Sequence, residues 1–166
     1  MSKNIKETIK SLVEESINEE TVIKQTKEHI NNVGKNIDVF VKELNSRKDL
    51  HDKSKLEEPE FKTFVEFTPK LKNSTYGSEE YNSFIKDMAP ALKHHYENNR
   101  HHPEYNSNGI NGMNLIDILE MLADWHAASK RHADGDIIKS IEINKERFGI
   151  SDQLYDILKN TITIFK

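Results

Sequence analysis

The sequence predicts an all-α protein, and three observations predict it. Apolar residues recur at steps of three and four, as one face of a helix requires, beginning with Ile5, Ile9, Leu12, Val13 and Ile17. Period-two alternation, the mark of a strand, is nowhere sustained. Small polar residues ahead of acidic or apolar turns supply helix starts, and glycine supplies a stop. At 166 residues the chain can bury one substantial core. Neither a repeat nor a linker points to a second domain. The reading is a single compact helical domain over residues 1–166, with about seven helices. Residues 1–20 form an N-terminal helix taken as peripheral to any site.

The elements follow in order. A second apolar stripe runs Val22, Thr26, Ile30, Val33, Ile37, Phe40, Val41 and Leu44, with His29 on it. From Lys53 to Gly77 the period changes often and Pro59 and Pro69 intervene, which reads as short helices and loops. Ser78, followed by Glu79 and Glu80, caps a helix through Tyr81, Phe84 and Ile85. Pro90 fits the first turn of the next helix, and Pro103 disfavours helical geometry at His102. "NSNGINGMN" is a Gly/Asn loop, after which Asn114 caps "LIDILEMLADWHAASKRH". Gly135 or Asp136 starts another helix that stops near Gly149, and Ser151 caps the last, to about Ile164.

Composition narrows the function classes. The chain carries 24 Lys and Arg against 28 Asp and Glu, a net charge of −4, with no basic cluster. Long nucleic acid is therefore a poor partner, whereas a small phosphorylated ligand needs only two or three local cations. No apolar run approaches the roughly 18 residues that span a bilayer, and the N-terminus lacks a signal-peptide core. With no cysteine there is neither a disulfide framework nor a thiolate zinc site. The expectation is a cytoplasmic protein without a membrane partner, free to form a homo-oligomer.

Chemistry gathers around "ALKHHYENNRHHPEY", where four of the eight histidines, His94, His95, His101 and His102, fall within nine positions. Residues seven apart on a helix return to nearly the same face. Placed in the last turns of one helix, His94 and His101 would share one face, and His95 and His102 the next. Asn98 and Asn99 extend this coordinating surface. A surface helix would mix in Lys and Glu, and here only Glu97 and Arg100 interrupt. In "LHDKSKL", the adjacent His51 and Asp52 reach one cation only if the backbone presents them at a helix end or kink. His29 is alone on an apolar stripe, where a histidine is more often structural. The helix after Asn114 is apolar nearly all round yet carries Asp117, Glu120 and Asp124 on one stripe. Asp117 falls at N3 of the cap, a role worth on the order of 1 kcal/mol. Asp124 has no such role, and a buried carboxylate needs a partner or a metal.

A helical His, an HD dipeptide, a His-rich helix and a helical Asp occur here in the order that resembles the HD-domain superfamily of metal-dependent phosphohydrolases. That resemblance implies an HD-like helical fold and a metal site of His29, His51, Asp52 and Asp124. "HDKSK" is similar to the HD-x-x-K form of the phosphodiesterase branches, which would place Lys55 beside substrate phosphate. "RHHPE" resembles their double histidine, which helps bind a second metal, and "ADWHAASKR" their stretch around the last metal-binding Asp. The set "HDKSK", "YGSEEY", "HHYENNRHHPE" and "MNLIDILEMLADW" also resembles an uncharacterised HD-like family of bacteria and their phages. The Gly-Tyr-Pro tail of the cyclic-dinucleotide enzymes is absent, with "NGINGMN" in its place.

The implied function is metal-dependent hydrolysis of a phosphate ester or anhydride in a nucleotide or cyclic oligonucleotide. One or two divalent ions are expected, with Mn, Fe, Co, Ni or Zn preferred over Mg by the His and Asp ligands. The metal candidates are His29, His51, Asp52, His94, His95, His101, His102 and Asp124. Asp52 and Lys55 carry catalysis, and Lys55 with Lys93, Arg100 or Arg131 clamps phosphate. Two other classes fit the same residues: a di-iron HD-like oxygenase, and a module that sequesters a nucleotide without turnover. The setting would be bacterial, or a phage-infected host.

Overall fold

The computed structural model describes residues 2–16, 19–75, 77–131 and 135–165, without the side chains of 2, 3 and 12–16. Leu12, Val13 and Ile17 of the first stripe, with Tyr76 and His132, therefore lie outside the described side chains. All regular structure among the described residues is helical, as expected. The described residues form eight α-helices: α1 (Ser2–Ser16), α2 (Glu19–Leu50), α3 (Phe61–Asn73), α4 (Glu79–Asp87), α5 (Ala89–Asn98), α6 (Leu115–Ser129), α7 (Ile137–Phe148) and α8 (Asp152–Thr161). Single 3-10 turns lie at Lys53–Leu56, Pro103–Tyr105, Gly109–Gly112 and Ile162–Phe165. None of these helices is long and apolar enough to cross a membrane.

The chain divides into two compact units, residues 1–43 and 44–166. The first holds α1 and most of α2. No residue of α2 is buried. Its apolar stripe is open, with Ile30, Ile37 and Phe40 each more than half exposed. His29 on that stripe is exposed as well, so it is not a core histidine.

The second unit is built around α6, α7 and α8. Leu122, Ile141, Ile150 and Leu158 form its buried centre, with Ile118, Trp125, Phe148 and Leu154 packed against them. Trp125 and Phe148 stack with ring centres 6.2 Å apart. The caps read from sequence are in place. Ser78, Asp136 and Ser151 accept from Tyr81 N, Ile138 N and Leu154 N, and Asn114 with Asp117 forms a full capping box. Gly149 ends α7 at φ 62°, and a Cβ there would meet nothing within 4 Å. Gly149→Ala should therefore cost backbone strain alone, about 1–2 kcal/mol, measurable as a lower urea midpoint. An unchanged midpoint would contradict the left-handed cap.

Two segments differ from the sequence reading. The stretch from Lys53 to Gly77 contains a continuous thirteen-residue helix, α3, that runs through Pro69. Proline removes the bond to the carbonyl of Val65, and Val65 is 60% exposed, so water can take that carbonyl. Helix α6 is less buried than its composition suggests. Leu115 and Leu119 face solvent, and its fully buried acid is Asp117 rather than Asp124.

Candidate metal centre

Helix α2 stops at Leu50, and its last turn is completed by the His51 amide donating to the Arg47 carbonyl at 2.8 Å. Asp52 then turns left-handed, at φ 55° and ψ 14°. A short polar side chain tolerates that geometry better than most, at a cost of roughly 1 kcal/mol. The reversal is the helix end that an adjacent His-Asp pair needs in order to converge. His51 Nε2 lies 3.6 Å from Asp52 Oδ2 and 3.8 Å from Oδ1 of Asp124 on α6.

The four clustered histidines do not share one helix, which corrects the expectation that they would pair at a spacing of seven. Helix α5 ends at Asn98, because Asn99 is extended and Pro103 holds His102 extended. The Asn99 amide donates to the His95 carbonyl and to Ser54 Oγ, each at 2.8 Å, fixing the break. The turn that follows folds His101 and His102 back over the helix. His102 Nε2 comes 2.9 Å from His95 Nε2. His95 Nε2 and His101 Nε2 lie 3.2 and 3.5 Å from Asp52 Oδ1. Both rings are 2% exposed. His94 turns away, 40% exposed, and joins none of these contacts.

Two further carboxylates hold the rings from behind. Buried Glu60 takes Nδ1 of His94 at 2.7 Å and Nδ1 of His95 at 2.9 Å. Glu120 Oε1 lies 3.0 Å from Nδ1 of His51 and 3.3 Å from Nδ1 of His101. The His51, His95 and His101 rings so held present Nε2 to the centre, the usual arrangement for a metal-ligating histidine. Glu120 is anchored in turn by Arg47, which also contacts Asp117 at 3.1 Å. Arg100 grips Asp117 with two bonds of 3.1 Å.

Among the described residues three donor groups form: two are lobes that share Asp52, and the third is His51, His101 and Glu120, where both rings meet Glu120 through Nδ1. Asp52, His95, His101 and His102 form a nitrogen-rich lobe, and His51, Asp52 and Asp124 an oxygen-rich one. Within each group the candidate donor atoms lie within 4.8 Å of one another. Bonds of about 2.0–2.2 Å to a tetrahedral ion place donors roughly 3.4 Å apart, close to this spacing. Asp52 Oδ1 and His101 Nε2 are buried without a hydrogen-bond partner. Orphaned polar atoms of this kind are costly, and an ion between them would satisfy both.

Charge in the cluster is strongly polarised. The Asp124 carboxylate, together with Glu120, pushes His51 up to about 10, against the opposing effect of burial. Burial raises Asp52, but His95 and Lys55 outweigh it and hold the carboxyl well below its ordinary range. Burial likewise opposes the fall of Glu120, which His101 and His51 bring down to about 2. Burial, with His101 and His95 alongside, lowers His102 to about 3. A raised histidine contributes stability that is complete below its unfolded value, near 6.5, and is lost as pH climbs through about 10. An ion taking His51 Nε2 must displace that proton. Metal uptake by the His51, Asp52 and Asp124 group at pH 7 should therefore release protons, and its apparent affinity should rise with pH toward about 10. An indicator dye in weak buffer reads this, and proton-neutral uptake would contradict it.

Of the expected ligands, His51, Asp52, His95, His101, His102 and Asp124 come together within the second unit, and His29 belongs to the first. Among the expected phosphate cations, Lys55 touches the cluster, with Nζ 2.6 Å from Asp52 Oδ2. Arg100 is committed to Asp117. Lys93 pairs with Glu97 at 3.7 Å and lines a surface groove with Tyr96 and Arg147. Arg131 is exposed beyond the end of α6. Sequence reasoning missed the roles of Glu60 and Glu120.

No curated protein and no solved structure matches this sequence. Residues 18–164, which include all of these site residues, match the model of a family of unknown function, DUF5662, and the chain belongs to that family.

Proposed function

We propose that the protein is a divalent-metal-dependent phosphohydrolase acting on a nucleotide or cyclic oligonucleotide. The observation that carries this reading is the pair of buried, unpartnered atoms, Asp52 Oδ1 and His101 Nε2, inside a shell of inward-facing imidazoles. The order of motifs, similar to that of the HD-domain superfamily, supports it. When bound, a divalent ion supplies a lowered pKa for coordinated water and neutralises charge on phosphoryl oxygens. His51, His95, His101 and His102 would hold it through Nε2, with Asp52 shared between the lobes and Asp124 at the oxygen-rich end. Glu60 and Glu120 keep the rings oriented, so little reorganisation is needed when substrate arrives. Lys55, 27% exposed at the edge of the centre, is placed to exchange its contact with Asp52 for a substrate phosphate oxygen.

The test is a panel of nucleoside phosphates and cyclic dinucleotides, incubated with protein stripped of metal and reloaded with Mn, Fe, Co, Ni, Zn or Mg. Phosphate or linear nucleotide released only in the reloaded samples supports hydrolysis. Three histidines in one lobe also suit iron. A product that forms only with iron and oxygen would move the chain to oxidative chemistry. Nucleotide bound and recovered unchanged with every metal would leave a sequestering role.

A further inference from the structure

Glu60 is completely buried, yet its position explains none of that burial. It sits at the N-terminal boundary of α3, where an acidic side chain would ordinarily accept from the first helical amides, and it makes no such bond. Its carboxylate turns toward α5 instead. Oε1 faces His94 Nδ1, and Oε2 faces His95 Nδ1 and accepts from Ser54 Oγ at 3.1 Å. Asn99 donates its amide to the His95 carbonyl and Ser54 Oγ, and its Nδ2 and Ser54 Oγ also lie 3.0 and 3.3 Å from His95 Nδ1. Ser54 accepts from Asn99 and donates to Glu60. An ionised carboxylate only accepts, so the 2.9 Å contact with Glu60 Oε2 makes Nδ1 of His95 the donor, and Nε2 faces Asp52 Oδ1 and His102.

The two lobes differ in what holds them. Glu120 orients one ring of each lobe, His51 and His101, whereas Glu60 orients a ring of the nitrogen-rich lobe only. That lobe is also the more complete, with three imidazoles and a carboxylate against one imidazole and two carboxylates. Three nitrogen donors favour the later first-row divalent metals, whereas the oxygen-rich lobe suits a harder ion that keeps its waters.

We propose that Glu60 is a positioning residue that pre-forms the nitrogen-rich lobe, so that this lobe takes the first ion and the Asp124 lobe takes a second, weaker and exchangeable one. The proposal rests on the metal-centre reading above. Loss of an outer carboxylate typically lowers metal affinity about 10–100-fold. Glu60→Gln replaces one acceptor oxygen with an NH2 group, which donates and cannot accept from an imidazole N–H, at almost unchanged size.

The experiment is stepwise titration of the full-length, metal-stripped protein with Zn and then Mn. Native mass spectrometry counts ions, a competing chelator gives each affinity, and the melting temperature of the metal-free form is recorded in parallel. Wild type should show one tight and one weak step. Glu60→Gln should weaken the tight step about 10–100-fold, with the metal-free melting temperature nearly unchanged. Ser54→Ala, a milder disturbance of the same carboxylate, should shift it in the same direction. Asp124→Asn should lose the weak step and keep the tight one. Two wild-type steps of equal affinity would overturn the proposal. So would equal weakening of both steps by Glu60→Gln, or a Ser54→Ala protein that binds as wild type while Glu60→Gln fails to fold. A wild-type protein that binds no ion would instead sink the metal-centre reading itself.

Discussion

Asp52→Ala should abolish tight metal binding and remove nearly all turnover. Asp52 is the residue common to both lobes, its Oδ1 facing His95 and His101 and its Oδ2 facing His51 and Lys55. Removing it takes a ligand from each ion position at once. The loss in affinity should exceed the roughly 100-fold that marks removal of an outer partner. The metal-free protein need not lose stability. Alanine relieves Asp52 of its desolvation but strands Lys55 and the cluster of rings, two effects of opposite sign. Chelator competition and hydrolysis on the same preparation read the outcome. A variant that keeps wild-type affinity would show that Asp52 is no ligand.

Asp117→Ala should act through folding instead, with a cost of about 1.5–3 kcal/mol. The sequence alone assigns Asp117 a capping role worth about 1 kcal/mol, and the capping box is present. The structure adds a second burden, because the same carboxylate is fully buried between Arg47 and Arg100. Burial opposes its ionisation, but Arg100 and the Asn114 amide hold its carboxyl below the usual range. Cutting it away takes both carboxylate bonds from Arg100 and one from Arg47, which also steadies Glu120. Urea unfolding should show the loss, while metal affinity of the folded fraction falls far less than in Asp52→Ala. A destabilisation of only about 1 kcal/mol would mean that the arginines contribute nothing.

The helical class and most helix starts were legible because caps and periodicity are local properties. Ser78, Asn114, Asp136 and Ser151 cap where their side chains can reach backbone amides two or three residues on, and sequence carries that information. The convergence of His51 with Asp52 was legible as a condition, a helix end, which the left-handed turn at Asp52 meets. The histidine cluster was legible as a composition but not as a geometry. A spacing of seven suggests one face of one helix, yet the break at Asn99 depends on an amide reaching Ser54, 45 residues away. Glu60 was invisible. In "LEEPE" it is one of three acids in a loop, and its selection is made by burial against α5, which no spacing encodes. Glu120 stood on the right stripe of α6, but spacing cannot tell a carboxylate that binds an ion from one that holds a ring. His29 fitted the order of motifs, and it lies exposed on the part of α2 that belongs to the first unit.

Metal content is what a metal centre at this cluster would change first. The most direct measurement is metal content by elemental mass spectrometry, on protein purified without chelator or metal-affinity resin and dialysed against trace Zn and Mn. Wild type should retain between one and roughly two ions per chain, and His101→Ala should retain markedly less at equal folding. Wild-type protein that is folded, free of bound metal and indistinguishable from His101→Ala would contradict the account.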